Sequence, residues 1–161
     1  MTNAGLRKNE NVIMIGVNEL TADHCYYVPE KVGDYTVVSL GYFDSGAAHY
    51  DFMGGELTMN IKKIYTPPSC RLFLYALCSC PALTDIYIAA DSFYLHPLDL
   101  PDIVMYEGYY RDPDNFQRPI TIHAKPDAWN EYAGMTMAEY MSNPHNGYRC
   151  RFEAWDPSTV Y

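Results

Sequence analysis

Two stretches of the sequence, IKKIYTPPSC at residues 61–70 and LTDIYIAADS at residues 83–92, carry one pattern 22 positions apart. Superposed, Ile61 falls on Leu83, Ile64 on Ile86, Tyr65 on Tyr87 and Thr66 on Ile88. A third run, Ile120-Thr121-Ile122, fits onto Ile86-Tyr87-Ile88. Short strands at regular spacing with an apolar stripe are the mark of a repeat solenoid. One such unit cannot bury its own inner face, and stacking successive units buries a continuous row of Ile, Leu and Val. Strand side chains alternate between faces. With Ile64/Ile86/Ile120 and Thr66/Ile88/Ile122 inward, Lys63/Asp85, Tyr65/Tyr87/Thr121 and Pro67/Ala89/His123 face outward. The arrangement predicts a Tyr65–Tyr87 ladder on an exposed sheet face. Such a ladder suits a protein contact, because Tyr is enriched in binding surfaces. It equally suits cross-strand stabilisation of the sheet itself.

The rest of the chain reads as short elements between turn signals. Residues 1–10 are polar and read as a loose arm. Val12–Val17 reads as a strand, and Thr36–Leu40, β-branched and alternating, as another after a Gly33-Asp34 turn. Gly41–Gly55 has no period and reads as a loop or insertion. Ile61–Thr66 is a strand stopped by Pro67-Pro68, since proline donates nothing to a ladder. Leu72–Cys80 is apolar and reads as a buried turn or one short helix. Asp85–Ala89 and Ile120–Ala124 are further strands. Residues 91–119 are irregular and carry four prolines, Pro97, Pro101, Pro113 and Pro119; such a stretch inside a compact domain carries function or is an inserted excursion. Pro126–Met141 reads as one helix or two short ones broken near Gly134, with Asp127 capping the first and a Thr136/Glu139 box opening the second. Tyr148–Trp155 alternates and reads as an edge strand.

Composition narrows the function. The net charge is −9 and Lys/Arg form no cluster, which argues against nucleic-acid binding, where cations must replace phosphate counterions. No run approaches the 18 or so apolar residues of a membrane span, and Met1–Leu20 does not read as a signal peptide. The expectation is a cytoplasmic or virion- or assembly-associated protein with no membrane insertion. The five cysteines, Cys25, Cys70, Cys78, Cys80 and Cys150, are odd in number and lack a paired CxxC knuckle. They read as small buried thiols, with no metal site. His24, His49, His96, His123 and His145 sit in no recognisable catalytic motif. Asp112-Pro113-Asp114-Asn115 lacks the Gly and terminal Glu of a calcium loop. These readings point to a non-catalytic chain without cofactor. Tyrosine is abundant, 16 residues against 6 Phe and 2 Trp, and EGYYRDPDNF at residues 107–116 has the Tyr/Gly/Asn character of binding loops. The candidate partner-binding residues are Tyr65, Tyr87, His123, Tyr106, Tyr109 and Tyr110. The candidate core stripe is Leu40, Ile64, Phe73, Leu77, Cys80, Leu83, Ile86, Ile88, Ile120 and Ile122.

Three segments carry a family resemblance. YYVPEKVGDYTVVSLGYFDSG, residues 26–46, resembles the opening unit of the BspA-like leucine-rich repeat: a proline-ended strand, a Gly turn, then an apolar strand with Gly and an aromatic. IYTPPSCRLFLYALCSCPALTDIYI, residues 64–88, resembles the next unit. Phe73 stands at its inward position, Ala76-Leu77 at the family's Ala-Phe pair, Cys80 at its buried Cys, and Pro81-Ala82-Leu83 leads into the following strand. ITIHAKPDAWNEYA, residues 120–133, resembles the closing unit. The array is short and irregular, interrupted at residues 44–60 and 91–119, and Leu77 stands where Phe is usual.

The resemblance implies a β-rich α/β fold, a short leucine-rich-repeat-like solenoid of stacked short strands with a few short helices. Residues 1–24 form an N-terminal arm and first strand, 25–133 the repeat domain and 134–161 a capping segment. It also implies recognition or adhesion at bacterial surfaces or in their phages. The expected function is a protein-interaction module, with a protein or a glycan as partner. The alternatives are a structural subunit of a larger assembly, such as a homo-oligomer or a virion accessory protein, and a carbohydrate-binding domain.

Overall fold

The computed structural model describes residues 20–40, 42–44, 47–49, 60–73, 80, 82–95, 120–142 and 150–161. The expected strand at Val12–Val17 and residues 96–119 lie outside this set. The described chain is strand-rich, with few helices and a parallel sheet at its centre.

Five strands build that sheet: β1 (Cys25–Tyr27), β7 (Lys63–Thr66), β9 (Asp85–Ile88), β11 (Ile120–Ala124) and β14 (Cys150–Ala154), in that spatial order and all parallel. Parallel neighbours need long crossovers, and here the crossovers carry short strands of their own. After β1 comes a hairpin, β2 (Lys31–Val32) and β3 (Tyr35–Thr36), turned at Gly33, whose φ of 61° is left-handed and favours a residue without Cβ. The chain then reaches β4 (Ser39–Leu40), which pairs in parallel with β8 (Leu72–Phe73). Leu72 bridges Tyr94, just past β10 (Ser92–Phe93), and β10 pairs in parallel with β12 (Trp129–Asn130). From β1 to β12, therefore, each pass through the large sheet is followed by a strand in a second run of parallel pairings.

The core lies between these two runs. Ile64, Ile86 and Ile122 are in register and fully buried, with Thr66, Ile88 and Ala124 forming the next inward row. Leu40, Phe73 and Phe93 face them from the second run, and the two phenylalanine rings meet edge to face at 6.2 Å. Each fully buried Ile or Phe contributes about 1.5–3 kcal/mol. The polar members of the core are partnered. Thr66 Oγ1 donates to the Tyr87 carbonyl (3.2 Å), and Asn130 Nδ2 donates to the Leu95 carbonyl (3.4 Å). Of the core stripe expected from the sequence, Leu77 lies outside the described residues; Leu40, Ile64, Phe73, Cys80, Leu83, Ile86, Ile88, Ile120 and Ile122 are all buried.

Several expectations are corrected. Thr36–Leu40 is not one strand. Val37 donates back to the Glu30 carbonyl, while the Val38 carbonyl accepts from Arg71 and Leu72, so the chain changes partner between β3 and β4. The loop at Gly41–Gly55 contains an antiparallel pair, β5 (Tyr42–Asp44) with β6 (Ala47–His49). Leu72-Phe73 is strand, as are Ser92-Phe93 inside the stretch read as irregular. No helix forms over residues 126–134. Trp129 and Glu131 donate to the Asp91 and Phe93 carbonyls, and this lateral pairing overrides local helix preference. β12 then turns at Gly134 (φ 65°) into β13 (Met135–Thr136).

The second expected helix forms as α1 (Met137–Ser142), opened by the Thr136/Glu139 box. Glu139 N–H donates to Thr136 Oγ1 (3.3 Å), and Thr136 N–H donates to Glu139 Oε2 (3.0 Å). The register of β11 is also corrected. Ile122, not Ile120, pairs with Ile86, and His123, not Thr121, stands beside Tyr87. Pro67 and Ala89, expected to face outward, are buried.

Candidate partner-binding face

The parallel register places Tyr27, Tyr65, Tyr87, His123 and Glu153 in one row across the five strands, on the face opposite the Ile row. Parallel strands stand about 4.8 Å apart, close to the thickness of stacked rings, so in-register aromatics pack face to face. Tyr27 and Tyr65 stack at 4.5 Å, Tyr65 and Tyr87 at 4.2 Å, and Tyr87 and His123 at 4.0 Å, all within 9° of parallel. Both faces of Tyr65 and of Tyr87 are thereby covered by neighbouring rings. Tyr27, on the edge strand, is 47% exposed.

One further ring closes over the row. The Trp155 indole meets Tyr87 at 5.3 Å and Tyr65 at 6.4 Å, at 76° and 68°. Because the faces of those tyrosines are occupied, the indole crosses their edges, a favourable pairing of ring edge with ring face. Burial, followed by the neighbouring Tyr87, pushes the Tyr65 hydroxyl above its ordinary pKa.

At the other end of the row the His123 imidazole lies between two carboxylates. Nε2 lies 2.8 Å from Asp85 Oδ1, and Nδ1 faces Glu153 Oε2 at 3.6 Å. A carboxylate only accepts, so Nε2 carries the proton in this pair. Asp85 also accepts from the Thr84 hydroxyl through Oδ2 (2.7 Å). With one nitrogen on Asp85 and the other facing Glu153, the buried imidazole links β9, β11 and β14.

Of the residues singled out from the sequence, Tyr65, Tyr87 and His123 come together in this row; Tyr106, Tyr109 and Tyr110 lie outside the described residues. The sequence reading missed Tyr27 and Trp155. Tyr27 had a signal: Tyr27-Val28-Pro29 repeats the Tyr65-Thr66-Pro67 pattern. Trp155 had none, because it follows the last strand and belongs to no repeat. Cys25, Cys70 and Cys80 are buried thiols outside any disulfide, and burial pushes Cys70 up to about 12. No group of three or more His, Cys, Asp or Glu among the described residues is arranged to hold a metal ion. No described helix is long and apolar enough to cross a membrane.

No family model, curated protein sequence or solved structure matches this chain.

Proposed function

We propose that this chain is a non-catalytic protein-interaction module on a short BspA-like leucine-rich-repeat solenoid, with the row from Tyr27 to His123 as its recognition face. The alternation of long-sheet and short-run strands, β1/β4, β7/β8, β9/β10 and β11/β12, supports the solenoid. It is the path of a chain that coils once per repeat and pairs each coil with the next.

The in-register aromatic row carries the functional reading. It sets rigid, amphipathic tyrosines side by side on a regular sheet, the type of surface that supplies contact area at low entropic cost. A protein partner fits this geometry better than a sugar. Sugars stack on ring faces, and the faces of Tyr65 and Tyr87 are already covered.

The test is a peptide-display selection on the folded chain, with each selected binder re-measured on Tyr65→Ala and Tyr87→Ala. Binders of the face lose affinity by roughly tenfold or more on these variants, as for truncated aromatic anchors. Binders that all ignore both substitutions would place recognition elsewhere and overturn the reading.

A further inference from the structure

Residues 155–161 form a strap across the C-terminal ends of the sheet strands. The Trp155 N–H donates to the Ala124 carbonyl at the end of β11 (2.9 Å). Its indole lies against Tyr87 of β9 and Tyr65 of β7. Tyr161, at the far end, sends its hydroxyl to the Val28 carbonyl just past β1 (3.4 Å). Trp155 follows β14, so the segment crosses from β14 to β1, four strand spacings or about 19 Å. It includes a 3-10 turn, Pro157–Thr159, capped by Asp156, whose Oδ1 accepts from Ser158 N–H (3.0 Å), and the Tyr161 side chain completes the reach to Val28.

Pro157 is buried and Trp155 half-buried, whereas Asp156, Ser158, Thr159, Val160 and Tyr161 are exposed. The strap adds no strand to the sheet. A segment most of whose residues are exposed is drawn from the low-stability end of a fold. It sits against the edges of the two most enclosed tyrosines of the recognition face, so any partner that uses those edges meets the strap first.

We propose that the edge of the Tyr65–Tyr87 stack is a docking groove for an extended protein segment, occupied here in cis by residues 155–161. The strap displays the chemistry the groove accepts: a large aromatic against the stacked tyrosine edges, and a proline two positions later in a buried seat. The external partner is a segment with that aromatic-x-Pro spacing, and binding exchanges it for the strap. This inference rests on the interaction reading above.

The probe is a blocked, fluorescently labelled peptide, FDPSTVY, and the protein is the whole 161-residue chain. Trp155→Ala removes the strap's aromatic anchor. The peptide binds this variant at least about tenfold more tightly than the wild type, because a tethered competitor acts at roughly millimolar effective concentration. Adding Tyr87→Ala to the released chain abolishes the gain. A second measurement leaves the strap intact: in Trp129→Phe, Trp155 is the one remaining tryptophan, and saturating peptide shifts its emission to the red as the indole leaves the tyrosines. Equal binding to wild type and folded Trp155→Ala, or no binding to either with unshifted Trp155 emission, overturns the proposal. Should Trp155→Ala not fold, the emission titration alone decides. Display binders that depend on Tyr65 and Tyr87 but lack the aromatic-x-Pro spacing would leave the interaction reading standing while this inference fails.

Discussion

His123 Nε2 and Asp85 Oδ1 lie 2.8 Å apart across neighbouring parallel strands, with the imidazole stacked on Tyr87, two positions along from Asp85. The contact joins the aromatic row to the polar row beside it, Lys63, Asp85, Thr121 and Arg151. His123 is 8% exposed, so its N–H has little access to water in place of Asp85.

Asp85→Ala is therefore expected to destabilise the fold by about 1–3 kcal/mol, the cost of leaving a buried donor unpaired. Asp85→Asn keeps an acceptor in the same place and should cost less. Urea midpoints of the two variants check the order; an equal loss would mean that the carboxylate charge, and not the hydrogen bond, holds the pair.

The inward and outward rows differ in what they tolerate. Ile86→Ala should cost about 2–5 kcal/mol by opening a cavity in the fully buried row, and Ile86→Asp should unfold the chain by burying an unpaired charge. Tyr87→Ala removes two stacked ring pairs, about 1–3 kcal/mol, and should leave a folded protein. Circular dichroism and denaturation of the three variants test the register, because equal tolerance would contradict it.

Acid should loosen α1 before the sheet. Hydrogen bonds from the Thr136 N–H, then from its hydroxyl, hold the Glu139 carboxyl below its ordinary 4.5. A depressed carboxylate stabilises the fold above the unfolded value, and that stabilisation is lost as pH falls through the lower folded value. Amide exchange of Ala138–Tyr140 measured at pH 6 and again at about pH 3 should show a loss of protection on acidification. In Glu139→Gln that pH-dependent loss should be smaller.

Alkali should act on the core. Burial raises the Cys70 thiol from 9.0 to about 12, and burial, followed by Cys70, raises Tyr26 from 10.0 to about 12. Each group favours the folded state in its neutral form. The contribution of these two groups should thus be constant below pH 9, then fall as pH rises from 9 towards 12, by up to about 1.4 kcal/mol per pH unit for each proton held only in the folded state. Cys70→Ala should shift the onset upward towards the tyrosine range, and thermal melts at stepped pH would show it.

The sequence by itself determined what depends on neighbours along the chain. Alternation in Lys63–Thr66 and Asp85–Ile88 identified the strands and their buried residues, Gly33 marked the turn, and Thr136 with Glu139 opened the helix. Each signal is local, set by side-chain period, left-handed backbone or a capping pair. Tertiary structure decided everything that depends on lateral pairing. Ile120-Thr121-Ile122 keeps the same faces inward and outward whether Ile120 or Ile122 lies on Ile86, because a two-residue slip preserves strand parity. Only the packed sheet selects Ile122, and with it the contact of His123 with Tyr87. The short strands at Leu72-Phe73, Ser92-Phe93 and Trp129-Asn130 are too brief to carry a period, and they exist because neighbouring segments supply their partners. Trp155 lies beyond any repeat, and nothing in its own surroundings along the chain places it on the tyrosine edges. That position arises only once the five strands stand side by side.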